Sequence, residues 1–238
     1  MLKSYDHYTI LKRIEAGAFM YQKKLLSEKI VENIVGLIAK GYFKPGDKMP
    51  NELQLSQELN ISRATLREAI KTLASRNVLE VRRGIGTFVS EVPGLAKDPL
   101  GSDFMCIDAN PNAMLTTVQF QSYQAFTRLK VFSTGDVQAL LRQYRLVSDD
   151  EVHAEKYFES IGKIAQSVSL RLDDQFSFRM LIVTYELLTD YLCKKALKSD
   201  PVLRELYEHW LTALEQRNID GLKQRFNSMI EWIIEKGI

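Results

Sequence analysis

Between residues 62 and 73 the apolar positions fall in helical register. Leu66, Ala69, Ile70 and Leu73 stand at i, i+3, i+4 and i+7, so they share one face of a helix. Arg63, Thr65, Arg67 and Lys71 are then expected to look outward. Ser62 occupies the N-cap position, which turns the free N–H groups and the positive end of the helix dipole toward the same side as the cations. A short helix divided in this way can rest on a small core and offer a row of cations to a polyanion.

The flanking patterns extend this into a domain. Upstream, Ile30, Ile34, Leu37 and Ile38 form another helical stripe, which stops at Gly41, a residue suited to a left-handed C-terminal cap. A turn-rich connector follows, with Pro45-Gly46 as its bend. A second, short helix is predicted from Asn51 to about Leu59, with Leu55 and Leu59 inward and Asn60 ending it at positive φ. Only Ile61 and Ser62 separate it from the helix described above, which makes a helix-turn-helix. Downstream, residues 78–82 and 87–89 read as two strands around Arg83-Gly84-Ile85-Gly86, a basic hairpin able to lie against a phosphate backbone or reach a minor groove.

Residues 25–90 resemble the DNA-binding domain of the GntR family of bacterial transcription regulators. The resemblance is carried by Gly41…Pro45-Gly46…Met49-Pro50-Asn51-Glu52…Leu55…Leu59, by Ser62-Arg63…Leu66-Arg67-Glu68-Ala69…Leu73 and by Arg82-Arg83-Gly84…Gly86-Thr87-Phe88-Val89. It implies that Arg63 and Arg67 reach bases and phosphates, that Ser62 and Thr65 bond backbone phosphates, and that Gly84 with Arg83 forms the wing tip. Asn51, Glu52, Lys71 and Arg82 complete the set it places at DNA. Three positions depart from the family pattern: Asn51 stands where Ser or Ala is usual, Leu53 where an arginine often touches DNA, and Ala64 where some members have a second Thr. The operator is therefore not expected to copy that of a relative.

Charge agrees with a nucleic-acid partner at this end. Residues 1–92 hold 15 Lys and Arg against 10 Asp and Glu, a net of +5, whereas the remainder holds 17 against 20, a net of −3. With 238 residues, 45% of them hydrophobic, the chain suits two modest domains. The expected divisions are a helical N-terminal extension at 1–22, a winged helix-turn-helix at 23–92, a linker at 93–112 and a second domain at 113–238. Cys106 and Cys193 have no paired spacing, so neither a disulfide framework nor a cysteine zinc site is suggested. No apolar stretch approaches the ~18 to 20 residues that span a bilayer, and a cytoplasmic location is expected. Neither a nucleophile–base pair nor a phosphate-cradling glycine loop supports an enzyme, and no cofactor is expected.

Beyond Asn112 helical periodicity prevails, with only Pro201 among the prolines. Helices are predicted near 113–131, 134–146, 150–170, 174–198, 201–217 and 218–236, capped by Thr134, Asp149-Asp150-Glu151, Asp173-Asp174 and Asp200 before Pro201. The fold class is thus mainly α: an N-terminal winged helix-turn-helix followed by an all-helical bundle. That architecture resembles the FadR-like branch of the family, in which an Asp and three His commonly bind a divalent metal beside a small carboxylate effector. Laying Asp173-Asp174-Gln175-Phe176-Ser177 on that branch's Asp-x-x-Phe-His segment puts Ser177 where a histidine belongs. Alignment through Ala213-Leu214 puts Tyr207 and Met229 at the other two histidines, and Val118 at an arginine that holds effector carboxylate. The resemblance therefore implies a lost metal site, with His153 and His209 as a surface and a helix-face residue. An effector, if one binds, would meet an apolar pocket lined by aromatics such as Phe120, Tyr123, Phe126, Phe176, Phe178 and Tyr185. Arg128, Arg171 and Arg179 are its candidate anion anchors; the same aromatics also suit a plain core. The implied protein is a homodimeric regulator of double-stranded DNA, probing a palindromic operator and responding to an organic acid or acyl effector. The alternative is a helical domain that serves only as a dimerisation or protein-interaction scaffold.

Overall fold

The computed structural model describes residues 26–96, 99–101, 105, 111–145, 153–198 and 200–236. The helix expected within residues 1–22, half of the expected linker and Cys106 lie outside the described residues. The chain divides into two compact units, Met1–Lys97 and Asp98–Ile238.

In the first unit, helix α1 runs through residues 26–39 and buries Ile30, Val31 and Ile34. Gly41 closes it at φ 79°, with the Gly41 N–H donating to Ile38 and the Tyr42 N–H to Leu37, so two terminal carbonyls are satisfied by one left-handed residue. Helix α2, Glu52–Glu58, starts on the Asn51 side chain and is closed by Asn60 at φ 51°, whose neighbour Ile61 donates to Ser56. Helix α3, Arg63–Ser75, follows at once, and Asn77 ends it in the same left-handed manner. Strands β1, Leu79–Arg82, and β2, Gly86–Val89, pair antiparallel with Leu79 opposite Val89 and Arg82 opposite Gly86. Leu66, Ala69, Ile70 and Leu73 from α3 join the α1 residues, Met49, Leu55, Leu79 and Val89 in one core.

The connector between α1 and α2 is more than a turn. Gly46 N–H donates to Val89, Val89 N–H to Asp47 and Met49 N–H to Thr87, and Lys48 forms an antiparallel bridge with Phe88. The wing is thereby pinned along its β2 edge. Past the wing, Asn77 receives the Gly94 N–H on its carbonyl oxygen and donates its side-chain amide to Leu95, which ties residues 94 and 95 back to the end of α3.

In the second unit the regular elements among the described residues are helices. It contains α4 (Pro111–Arg128), a 3-10 turn at Leu129–Val131, α5 (Thr134–Tyr144), α6 (Ala154–Arg171), α7 (Gln175–Lys195), α8 (Pro201–Glu215) and α9 (Ile219–Glu235). Two starts differ from expectation. Ser133 caps α5 one residue before Thr134, because it completes a capping box with Asp136. Helix α6 begins at Ala154, after His153 in an antiparallel bridge with Lys198, and the expected cap Asp149-Asp150-Glu151 lies outside the described residues. Asp174 and Asp200 cap α7 and α8 as expected. The core is aromatic: Phe126 lies 5.5 Å from Trp210 and 5.6 Å from Phe226, and Tyr157 meets Tyr207 edge-on at 4.9 Å. Helices α6 and α7 approach closely at Gly162, where an added Cβ would lie 2.5 Å from Tyr185 Cδ1.

Candidate nucleic-acid interface

Helix α3 rests on its apolar stripe, with Leu66, Ala69 and Leu73 fully buried, and this leaves Arg63, Ala64, Arg67, Glu68 and Lys71 exposed. Thr65 corrects the sequence reading. It is buried at 4% exposure, and its hydroxyl shares a 2.7 Å hydrogen bond with Ser62 Oγ, so it faces the core and not the solvent. Position 65 lies four residues before Ala69, and that spacing already places it at the edge of the buried face. The exposed Ser62 Oγ also accepts the Thr65 N–H at 3.1 Å, which commits this oxygen to the helix start. Asn51 is similarly engaged: its Oδ1 accepts the Gln54 N–H at 2.9 Å.

Three of the cations already have acidic partners. Arg67 Nε donates to Glu52 Oε2 at 2.7 Å, across the turn from α3 to α2. Lys71 meets Glu68 at 3.0 Å one turn back on the same helix. On β1, Arg82 meets Glu80 at 2.8 Å, and its guanidinium carbon lies 4.4 Å from the centre of the Phe88 ring. The Glu80 hydrogen bond raises the Arg82 pKa further above its usual value. Arg63 and Arg83 have no ion pair among the described residues and stand exposed, one at the start of α3 and one at the wing tip beside Gly84. Gly84 at φ 73° has open space where a side chain would go, but Gly86 does not: at φ 138°, a Cβ there would meet Lys48 Cε at 2.8 Å.

Lys48 is a cation that sequence reasoning missed. The bridge to Phe88 sets its Nζ 5.9 Å from the Phe88 ring centre, so Lys48 and Arg82 both stack on one aromatic at the base of the wing. A long-range backbone pairing puts it there, and no local pattern announces that. Next to it the wing exposes Val81 and Ile85, which adds an apolar tip to a basic stem.

The second unit places its candidates less coherently. Arg128 is held by Asp174 at 2.6 Å and Arg171 by Asp136 at 2.9 Å, so neither is a free anion anchor; each supports the N-terminus of a helix through its capping acid. Arg179 is half-buried. The six aromatics do not line one pocket, since Phe120 and Phe176 are 63% and 75% exposed while Phe126 and Tyr185 sit in the core. Val118, Tyr207 and Met229 are fully buried, and the Tyr207 hydroxyl is paired with Ser160 at 2.7 Å. Ser177 lies in the first turn of α7, its N–H given to Asp174. An alkyl group, a thioether and an engaged phenol do not fit a divalent ion. Both His153 and His209 are exposed. A cleft of about 260 Å³ opens elsewhere, between α5 and α8, bordered by Gln138, Arg142, Arg145, Glu208 and Glu215 and bridged by the Arg145–Glu208 pair; none of the anchor candidates borders it.

Three helices closed by a two-stranded basic wing, with an exposed cationic helix after a tight turn, define a winged helix-turn-helix protein. Residues 26–89 match the sequence profile described as bacterial regulatory proteins, gntR family, and the winged-helix unit belongs to that family. Among curated proteins, the mannosyl-D-glycerate transport/metabolism system repressor MngR of Escherichia coli is 41% identical over 68 residues, 29% of this chain and 28% of that one. The Uxu operon transcriptional regulator of Escherichia coli is 32% identical over 83 residues, 35% of this chain and 32% of that one. The alignments thus span about a third or less of these relatives' own lengths. The solved structure of GntR from Streptococcus agalactiae covers 89% of this chain and 100% of its own, with a TM-score of 0.52 at 18% identity, and shares the fold. No helix among the described residues is long and apolar enough to cross a membrane.

Proposed function

We propose that the protein is a DNA-binding transcription regulator, a cytoplasmic homodimer that represses from a palindromic operator and has no enzymatic activity. The observation that carries this reading is the division of α3 into a buried apolar stripe and an exposed face bearing Arg63, Arg67 and Lys71, flanked by a wing bearing Arg82 and Arg83 with Lys48 at its base. Such a helix is sized for a major groove and such a wing for the adjacent backbone. Two-fold symmetry would set two copies of α3 on two half-sites. Repression is supported by the relative MngR, which is a repressor. Selection of bound fragments from random genomic DNA by the purified chain tests the reading: recovery of one inverted-repeat sequence supports it, and indifference to duplex DNA in dilute buffer refutes it.

For the helical unit the reading is that of the FadR-like branch, with an organic acid or acyl effector shifting DNA affinity through its differential binding to two states. A second reading, a scaffold without effector, is favoured by one observation: Val118, Tyr207 and Met229, which the resemblance aligns with that branch's effector arginine and two metal histidines, are fully buried. Thermal-shift screening separates the two, since a carboxylate or acyl thioester at 100 times its Kd should add about 2.7 kcal/mol. A flat response across the screen selects the scaffold.

A further inference from the structure

Glu52 is an odd residue to find beside an anion-binding helix. A carboxylate facing DNA phosphates weakens binding to every sequence, and the ion pair it makes is half-exposed, with side-chain exposures of 63% for Arg67 and 38% for Glu52. Pairs this wet contribute little to folding stability. Glu52 stands in the first turn of α2, where a carboxylate suits the helix dipole, but its bond reaches beyond that helix to Arg67 on α3.

The geometry is informative. Of the guanidinium nitrogens, only Nε is engaged, by Glu52 Oε2 at 2.7 Å; among the described residues both Nη groups are without partners. Fixing Nε removes rotation about the last bonds of a long side chain and leaves the two Nη groups as an end-on fork. That fork matches the O6 and N7 acceptors that guanine alone presents together in the major groove. The other two cation pairs do not have this character. Lys71 and Glu68 are neighbours within one helix, and Arg82 and Glu80 neighbours on one strand, whereas Glu52 and Arg67 are fifteen residues apart and join the two helices of the helix-turn-helix.

We propose that Glu52 is a specificity-determining positioning residue: it holds Arg67 by Nε so that the Nη edge reads one guanine in each half-site. Glu52, expected at DNA from the sequence, is on this reading no contact residue: its carboxylate is given to Arg67 and touches neither base nor phosphate. The inference rests on the DNA-binding reading above and deepens it by naming the base that α3 recognises and the residue that makes the recognition selective.

The test uses the full chain and its selected operator, with 7-deazaguanine, which lacks the N7 acceptor, placed at each guanine in turn. The wild-type protein should lose about tenfold in affinity at one guanine per half-site. Arg67→Ala should abolish that particular sensitivity. Glu52→Ala should bind random duplex as tightly as wild type or a few-fold tighter, yet lose about tenfold in the ratio of operator to random affinity. Glu52→Gln, which can still accept the Nε–H, should recover most of that ratio. An unchanged ratio in Glu52→Ala overturns the proposal, as does a guanine sensitivity indifferent to Arg67→Ala. Parallel losses on operator and random DNA with a lowered Tm also overturn it, because they mark a role in folding alone. Failure of the wild type to select any duplex sinks the regulator reading itself, a result distinct from each of these.

Discussion

The two units use the same device, a helix with one apolar stripe, and differ in whether polar pairs are also buried beneath it. In the winged-helix unit the ion pairs are outside: Arg67–Glu52 and Lys71–Glu68 lie in reach of solvent, and each cation keeps donors for a second partner. The helical unit has exposed ion pairs as well, Arg145–Glu208 and Arg171–Asp136 among them, but it adds polar pairs inside its core. Ser160 pairs with Tyr207, and Ser122 with Tyr185, at 2.7 Å each and out of contact with water. Burial raises the Tyr185 pKa well above the usual phenol value, so this hydroxyl stays neutral and serves as a fixed hydrogen-bonding group. Exposed pairs leave a cation within reach of a further partner and hence favour recognition; buried pairs favour one fixed packing. The contrast explains why the first unit declares a ligand class and the second does not.

The largest blow to this contrast would come from the buried side. Trp210 is fully buried between Phe126 and Tyr207, and Trp210→Ala should destabilise the helical unit by about 4 kcal/mol in denaturant titration. A loss below about 1 kcal/mol would show that the aromatic core is not closely packed. Gly162→Ala should cost about 2 kcal/mol by the same measurement, since the new methyl meets the Tyr185 ring. On the exposed side, Lys71→Ala should leave Tm within a degree or two while weakening binding to all duplexes alike and lowering the salt slope by about 1. Sequence-selective weakening would make Lys71 a reader of bases.

The mildest test is acid. Ser133, through its hydroxyl and backbone N–H, holds the Asp136 carboxyl below its ordinary pKa, and the Ser177 N–H does the same for Asp174. Carboxyls depressed in the folded state stabilise it fully above their unfolded pKa near 4, and that stabilisation is lost as pH falls through the lower folded values. Far-UV circular dichroism should therefore show the helical unit weakening below about pH 4, and Asp136→Asn with Asp174→Asn should flatten that dependence.

Much of the first unit was legible because its elements announce themselves locally. The α3 stripe, the Ser62 cap and the left-handed stops at Gly41 and Asn60 all appear where spacing and residue type placed them. What escaped was long-range: the Lys48–Phe88 bridge, and the ion pair of Glu52 with Arg67. Thr65 was misplaced because a threonine among arginines reads as polar, although its register puts it inside. In the second unit the helices were legible and their contacts were not. Asp173 and Arg217 stop α6 and α8 at positive φ without the glycine or asparagine that would have marked them. Whether an aromatic faces the core or the solvent, as Phe126 and Phe120 respectively do, depends on which neighbours cover it.

Asn77 carries a practical corollary. Because it grips Gly94 and Leu95 after the wing is complete, a minimal DNA-binding fragment has to extend at least to Leu95. A fragment cut at Val89, where the family profile stops, would leave the Asn77 amide and carbonyl dangling at the exit of α3.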